Sequence, residues 1–234
     1  MAKRGENETL VVDVHNRLRA EILGYQWVPG ERIKPAELRV RLGVSIGVLR
    51  EALGLLAAEN LVRIAPNRGF HVATLSPVDL INLTLVRKLN EGAALGLAIG
   101  RGDIDWESEV LASHHRMVSV PTYLPEDPPR RNEAWAVAHT AFHAKLLDAC
   151  GNDILIDICA RLSGSAELYR GWSALSVLEG ERDIVAEHLE LMESTLARDA
   201  ERAVSLLKAH IDRTAEVVMK KVVSGSGGQM LRVK

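Results

Sequence analysis

The spacing of apolar and polar positions divides the chain into two regimes. From Leu10 to Tyr25, the residues Val11, Val14, Leu18, Ile22 and Tyr25 recur at steps of three and four, the period of one helix face. Arg17 and Arg19 fall off that stripe, as phosphate contacts or as solvated surface charge. Pro29-Gly30 marks a turn. Pro35 to Leu42 reads as a short helix, with Pro35 at a first position where its missing N–H costs nothing. Gly43 closes it, since glycine takes the left-handed conformation without a Cβ penalty. Ser45 is placed to cap a second helix by accepting a backbone N–H. Val48, Leu49, Ala52, Leu53, Leu55 and Leu56 give that helix one apolar side. Leu61–Ala65 and Phe70–Ala73 then read as two short strands, joined by the turn chemistry of Pro66-Asn67-Arg68-Gly69.

Beyond Thr74-Leu75-Ser76-Pro77 the pattern changes. This segment reads as a linker in which Ser76 caps a new helix and Pro77 opens it. No strand pattern follows. Helical stretches are expected at Pro77–Arg101, Ile104–Val118, Asn132–Cys150, Asp153–Arg170, Glu179–Arg198 and Asp199–Val223. Val120–Arg131 holds Pro121, Pro125, Pro128 and Pro129 and reads as a loop. The polar residues 1–8 and the Gly/Ser-rich residues 224–234 read as flexible tails. The expected organisation is therefore a unit at 9–75, a helical unit at 76–223, and two tails.

Helix, glycine turn, capped helix and basic hairpin within 40 residues define a winged helix-turn-helix, whose second helix fits a DNA major groove. Arg50 lies on that helix, in reach of a base edge or a phosphate. Arg68 and Gly69 sit at the wing tip, suited to a minor groove. Arg39 and Arg41, one helix earlier, suit phosphate contacts, as does Ser45 at the helix N-terminus. The net charge of −2 looks wrong for DNA binding until it is split. Residues 1–75 carry 11 Lys/Arg against 8 Asp/Glu, and the remainder 18 against 23. A basic reader on an acidic body localises phosphate neutralisation where it is needed. Two cysteines, Cys150 and Cys159, are too few for a disulfide scaffold. With no basic-then-apolar leader and no long apolar run, the expectation is a cytoplasmic chain with no membrane partner.

The residues Val28-Pro29-Gly30, Glu37-Leu38, Leu42-Gly43-Val44-Ser45, Arg50-Glu51-Ala52-Leu53, Leu61-Val62 and Pro66-Asn67-Arg68-Gly69 resemble the winged-helix domain of GntR-type bacterial transcription regulators. The likeness covers residues 8 to 75. Two positions depart from the family pattern: Ile46-Gly47-Val48 stand where Arg-Thr-Pro is usual, and Arg39 where Ala is usual. In the second unit, Arg87, Phe142-His143, Cys150-Gly151-Asn152, Tyr169-Arg170, Glu187-His188 and His210-Ile211 resemble the FCD effector-binding domain. Asn67-Arg68-Gly69-Phe70, His114-His115 and His139 before Phe142-His143 look most like the carbon-starvation (CsiR-like) branch. The expected fold is mainly α, a winged helix-turn-helix followed by an all-α bundle of six to seven helices.

His139 and His143 are four residues apart on one helix and share a face, so both imidazoles can reach one metal ion. Spacing alone fits packed or surface histidines equally well. The FCD resemblance implies a metal ligand set falling on His139, His143, His188 and His210. The first of these is commonly Asp in the family, and the alternative stays open that His139 does not ligate, leaving three histidines and more open positions. Four neutral imidazoles leave a divalent charge uncompensated, which an anionic effector would supply. Imidazole-rich sites suit Zn, with Ni or Fe as alternatives. Glu187 points to a different face from His188 and is not expected to ligate. The resemblance also implies that Arg87 holds an effector carboxylate, with Tyr169 as a further pocket residue. Read without the family, Arg87 suits a surface charge or an ion pair with Glu91. The adjacent His114 and His115 read as surface or interface residues.

The expected function is a ligand-responsive repressor: a homodimer binding a double-stranded operator and released or retained by a small carboxylate. Two alternatives stay open, a metal-dependent enzyme in the helical unit and a regulator with a metal-free apolar pocket. Against the enzyme, the sequence offers no well-placed general base and no nucleophile motif.

Overall fold

The computed structural model describes residues 2–24, 26–65, 68–74, 76–125, 130–173 and 182–224. The chain divides into two compact units between Ser76 and Pro77. The first contains α1 (Ala2–Leu23), β1 (Arg32–Ile33), α2 (Pro35–Leu42), α3 (Ile46–Ala58), β2 (Val62–Ala65) and β3 (Gly69–Val72). Val11, Val14, Leu18 and Ile22 of α1 are buried with Leu38 of α2 and Val48, Leu49, Ala52, Leu53 and Leu56 of α3. Leu55, expected on the apolar side of α3, is 44% exposed. Gly43 ends α2 at φ 67°. The Ser45 hydroxyl then accepts the Val48 N–H at 3.2 Å, which starts α3. Removing such a cap typically costs ~1 kcal/mol.

The wing is antiparallel, with Val62 opposite Val72 and Ala65 opposite Gly69. The sequence reading missed β1, which joins on the free side of β3 with Arg32 opposite His71. Two residues carry no alternation, so pairing alone defines such a strand. Gly69 stands at φ 83°, which the turn requires. Pro66 and Asn67 of the expected turn lie outside the described residues, as do Tyr25 and Leu75.

The second unit contains α4 (Pro77–Arg101), α5 (Ile104–Val118), β4 (Tyr123–Leu124), β5 (Arg130–Arg131), α6 (Glu133–Leu147), α7 (Asp153–Ser173), α8 (Ile184–Leu196) and α9 (Ala200–Ser224). The side chains of Asp103, Asn132 and Asp183 accept backbone N–H groups and cap α5, α6 and α8. α4 packs on α7 and α9, α5 on α6 and α8, and α8 on α9. Leu95, Val110, Phe142, Leu146, Leu191 and Leu207 are almost fully buried at the centre.

Four expectations need correction. Residues 2–8, read as a tail, continue α1 toward its start; Ala2, Lys3, Arg4, Glu6 and Glu8 are all good helix formers. The Val120–Arg131 loop contains the small antiparallel pair β4–β5, in which Tyr123 faces Arg131. α6 stops at Leu147, and Asp148–Cys150 tighten into a 3-10 turn closed by Gly151 at φ 65°. α8 starts at Ile184, where Asp183 caps it, and residues 179–181 of the expected helix lie outside the described residues. Ser224 ends α9; the rest of the expected C-terminal tail lies outside the described residues. No helix among the described residues is long and apolar enough to cross a membrane.

Candidate DNA-reading face and histidine centre

In the first unit, Arg39, Ser45, Arg50, Arg68 and Gly69 are all exposed. Arg50 projects from the face of α3 opposite the buried stripe, flanked in sequence by buried Leu49 and exposed Glu51. Arg41 is exposed but engaged: its Nη2 lies 2.6 Å from Glu21 Oε2, and its guanidinium lies 5.9 Å from the centre of the Trp27 ring. Burial would raise the Glu21 pKa, but hydrogen bonds from Arg41 and Trp27 hold it below the ordinary value. Two α1 arginines are also paired, Arg17 with Glu21 and Arg19 with Glu59.

In the second unit the four histidines come together. His139 and His143 from α6, His188 from α8 and His210 from α9 place one ring nitrogen each within 4.8 Å of all the others. All four are at least nine-tenths buried. His143 Nε2 and His188 Nε2 are 3.2 Å apart. Two Zn–N bonds of about 2.0–2.1 Å at a tetrahedral angle would set their nitrogens about 3.3 Å apart. His143 Nδ1 is buried with no hydrogen-bond partner among the described residues. Two neutral rings share at most one proton across the 3.2 Å Nε2–Nε2 contact, whereas a cation would take both lone pairs. The donor set therefore fits a borderline metal ion such as Zn.

Burial also keeps three of these rings, His143, His188 and His210, neutral, the form that ligates. It lowers the His188 pKa to about 2, helped by the nearby His210. It lowers His210 to about 4, against the opposing hydrogen bond to Glu187. His143 is pushed well below the ordinary imidazole value by the same burial and by His210 and His188.

Beside the centre a narrow cleft lies between α4, α7 and α9. Arg87 and Tyr169 line it with Thr84, Arg170, Thr214 and a wall of Leu80, Leu83, Ala166, Ile211, Ala215 and Val218. Arg87 is not unpaired there. It grips Glu91 at two points, Nε–Oε1 2.7 Å and Nη2–Oε2 3.1 Å, so the ion-pair alternative is realised within the cleft. Arg170 is likewise held by Glu167 at 2.6 Å.

Three features escaped the sequence reading. His114 is buried, edge-on to Phe142 with ring centres 5.4 Å apart, while its neighbour His115 is exposed. The α5–α6 packing decides this, and no local pattern announces it. Glu187 does not join the four-histidine set, yet its Oε2 lies 2.8 Å from His210 Nδ1. Consecutive helical residues point about 100° apart, so α8 can turn His188 on one neighbour and Glu187 on another. Arg182, just before α8, closes on Glu187 with contacts of 2.9 and 2.7 Å.

Residues 82–213 match the FCD domain family, and residues 10–72 match the bacterial regulatory proteins of the gntR family. The chain is 36% identical over 210 residues to the uncharacterized HTH-type transcriptional regulator BphR of Paraburkholderia xenovorans, covering 90% of this chain and 85% of that one. It is 32% identical over 203 residues to the HTH-type transcriptional repressor GlaR of Escherichia coli, covering 86% and 91%. The solved structure of E. coli McbR/YncC superposes with a TM-score of 0.74 over 91% of this chain and 98% of that one, at 18% identity, and so supports the fold. The chain belongs to the GntR family of transcription regulators, in the group carrying an FCD domain. It is a DNA-binding transcriptional regulator.

Proposed function

We propose that the second unit binds a small carboxylate through a metal ion held by His139, His143, His188 and His210, and that this binding controls repression by the first unit. The observation that carries this reading is four buried imidazoles converging beside a cleft lined by Arg87 and Tyr169. Zn suits the ligand set best, with Ni or Fe as alternatives. Charge bookkeeping links metal to effector. Arg87 is balanced by Glu91 and Arg170 by Glu167, and burial holds His143, His188 and His210 neutral. A cleft so balanced has little pull on an anion. A divalent ion gives it two positive charges, which a carboxylate neutralises while filling open coordination positions.

On this reading the protein acts as a homodimer on a palindromic operator. Arg50 reads base edges, Arg68 and Gly69 enter the minor groove, and Arg39, Arg41 and Ser45 hold phosphates. Repression is supported by the relative named a repressor in E. coli. An effector shifts the equilibrium only if it binds the two states unequally.

The test is fluorescence anisotropy on labelled DNA from upstream of the protein's own gene, titrated with a panel of small mono-, di- and hydroxycarboxylates. Metal-loaded protein should change DNA affinity with at least one of them, and chelated protein with none. A response that survives chelation would favour a metal-free pocket and contradict the proposed route.

A further inference from the structure

Glu187 stands at the centre of a network that the functional reading does not use. Its Oε1 accepts from Arg182 Nε at 2.9 Å and from Arg213 Nε at 2.7 Å. Its Oε2 accepts from Arg182 Nη2 at 2.7 Å and lies 2.8 Å from His210 Nδ1. Arg182 is itself anchored, donating to Thr214 Oγ1 at 3.1 Å and to the His210 carbonyl at 3.3 Å. A carboxylate gripped by two guanidiniums has little freedom to turn. Its fourth close neighbour is a ring nitrogen of a histidine in the buried centre.

We infer that Glu187 is the positioning residue of the histidine centre: it takes the Nδ1 proton of His210 and leaves Nε2 as the nitrogen with the lone pair. A carboxylate only accepts, so the 2.8 Å contact requires the proton on Nδ1. Arg182 Nη2 also lies 3.2 Å from Nδ1, and a guanidinium only donates. The two demands conflict at one atom. The shorter contact and the match of donor to carboxylate favour Nδ1–H to Glu187, with Arg182 spending its hydrogens on Glu187 and the His210 carbonyl. A histidine fixed this way is a stronger and better-aimed donor than one whose proton is undecided. The inference rests on the metal reading for its consequence, but not for its geometry.

The first experiment reads the tautomer in metal-free, full-length protein by long-range ¹H–¹⁵N correlation at neutral pH, with His210→Gln to assign the ring. His210 protonated on Nδ1 is expected, and His210 protonated on Nε2 would overturn the inference whatever the variants do. The second compares Co(II) affinity by chelator competition in wild type, Glu187→Gln and Arg213→Gln. Glu187→Gln should lose the fixed tautomer and bind Co(II) about 10–100-fold more weakly. Arg213→Gln removes one of the two grips but leaves Arg182 on both Glu187 oxygens, so it should weaken Co(II) binding less than Glu187→Gln does. A Glu187→Gln protein that melts like wild type and binds Co(II) as tightly would sink the proposal. Wild type that binds no Co(II) would overturn the metal reading alone, because the tautomer is read without metal.

Discussion

Arg87 and Glu91 lock together inside α4 through two hydrogen bonds of 2.7 and 3.1 Å, with side chains only 7% and 4% exposed. The pair is four residues apart, so both side chains share one helix face, and Arg87 reaches the cleft. Arg87→Ala would strand the Glu91 carboxylate in the interior, a loss of about 3–5 kcal/mol. The variant should melt earlier and lose its response to carboxylates while still binding operator DNA at low temperature. Replacing both residues, Arg87→Met with Glu91→Leu, should restore thermal stability because an apolar pair of similar volume replaces a buried ion pair. The effector response should stay lost. A normal response in the double variant would remove Arg87 from the pocket.

In the first unit the arginines divide by what already holds them. Arg50 is exposed with no ion pair among the described residues, whereas Arg41 is committed to Glu21 at 2.6 Å. Arg50→Ala should weaken operator binding by about 1–3 kcal/mol and relax preference at one base position. Arg41→Ala should act more weakly and more evenly across sequences. The check is a salt titration on operator and scrambled DNA. Equal affinity of wild type and Arg50→Ala at every salt concentration would take Arg50 out of the interface.

The buried histidines give the metal-free protein a defined pH dependence. Unfolded imidazoles titrate near 6.5, while folded His210 titrates near 4 and folded His188 near 2. Below 6.5 the unfolded chain therefore binds more protons than the folded one, and stability falls as pH falls. The slope approaches about 1.4 kcal/mol per pH unit for each such histidine. The loss continues to about pH 4 for His210 and further for His188. Glu187 follows the same sign, its carboxyl held well below the ordinary 4.5 against the raising effect of burial, so it contributes only in more acid solution. Denaturant melts between pH 7 and pH 5 isolate the histidines. Flat stability across that window would mean that the rings are not held neutral.

The sequence carried the helices and the turns between them well, because those signals are local. Pro35–Leu42, Pro77–Arg101 and Ile104–Val118 have the bounds their caps and prolines announce. The two-residue strands Arg32–Ile33 and Tyr123–Leu124 were illegible, since each exists only through its partner. In the centre, the i, i+4 spacing of His139 and His143 was visible on one helix. Adding His188 and His210 needed the family pattern, because they arrive from α8 and α9. The hydrogen-bonding partners were hidden for the same reason. Glu187 meets His210 across 23 positions of sequence, and Arg182 reaches Thr214 across 32.

The central claim is that the four converging histidines hold a metal ion. Elemental analysis of untagged protein, purified without chelators beside a His143→Ala variant, measures this directly. The account predicts close to one ion per chain in wild type and a marked fall in the variant. No metal in either, even after incubation with Zn, Ni and Fe, would contradict it, and the four rings would then be packing residues beside a cleft that recognises its ligand by shape.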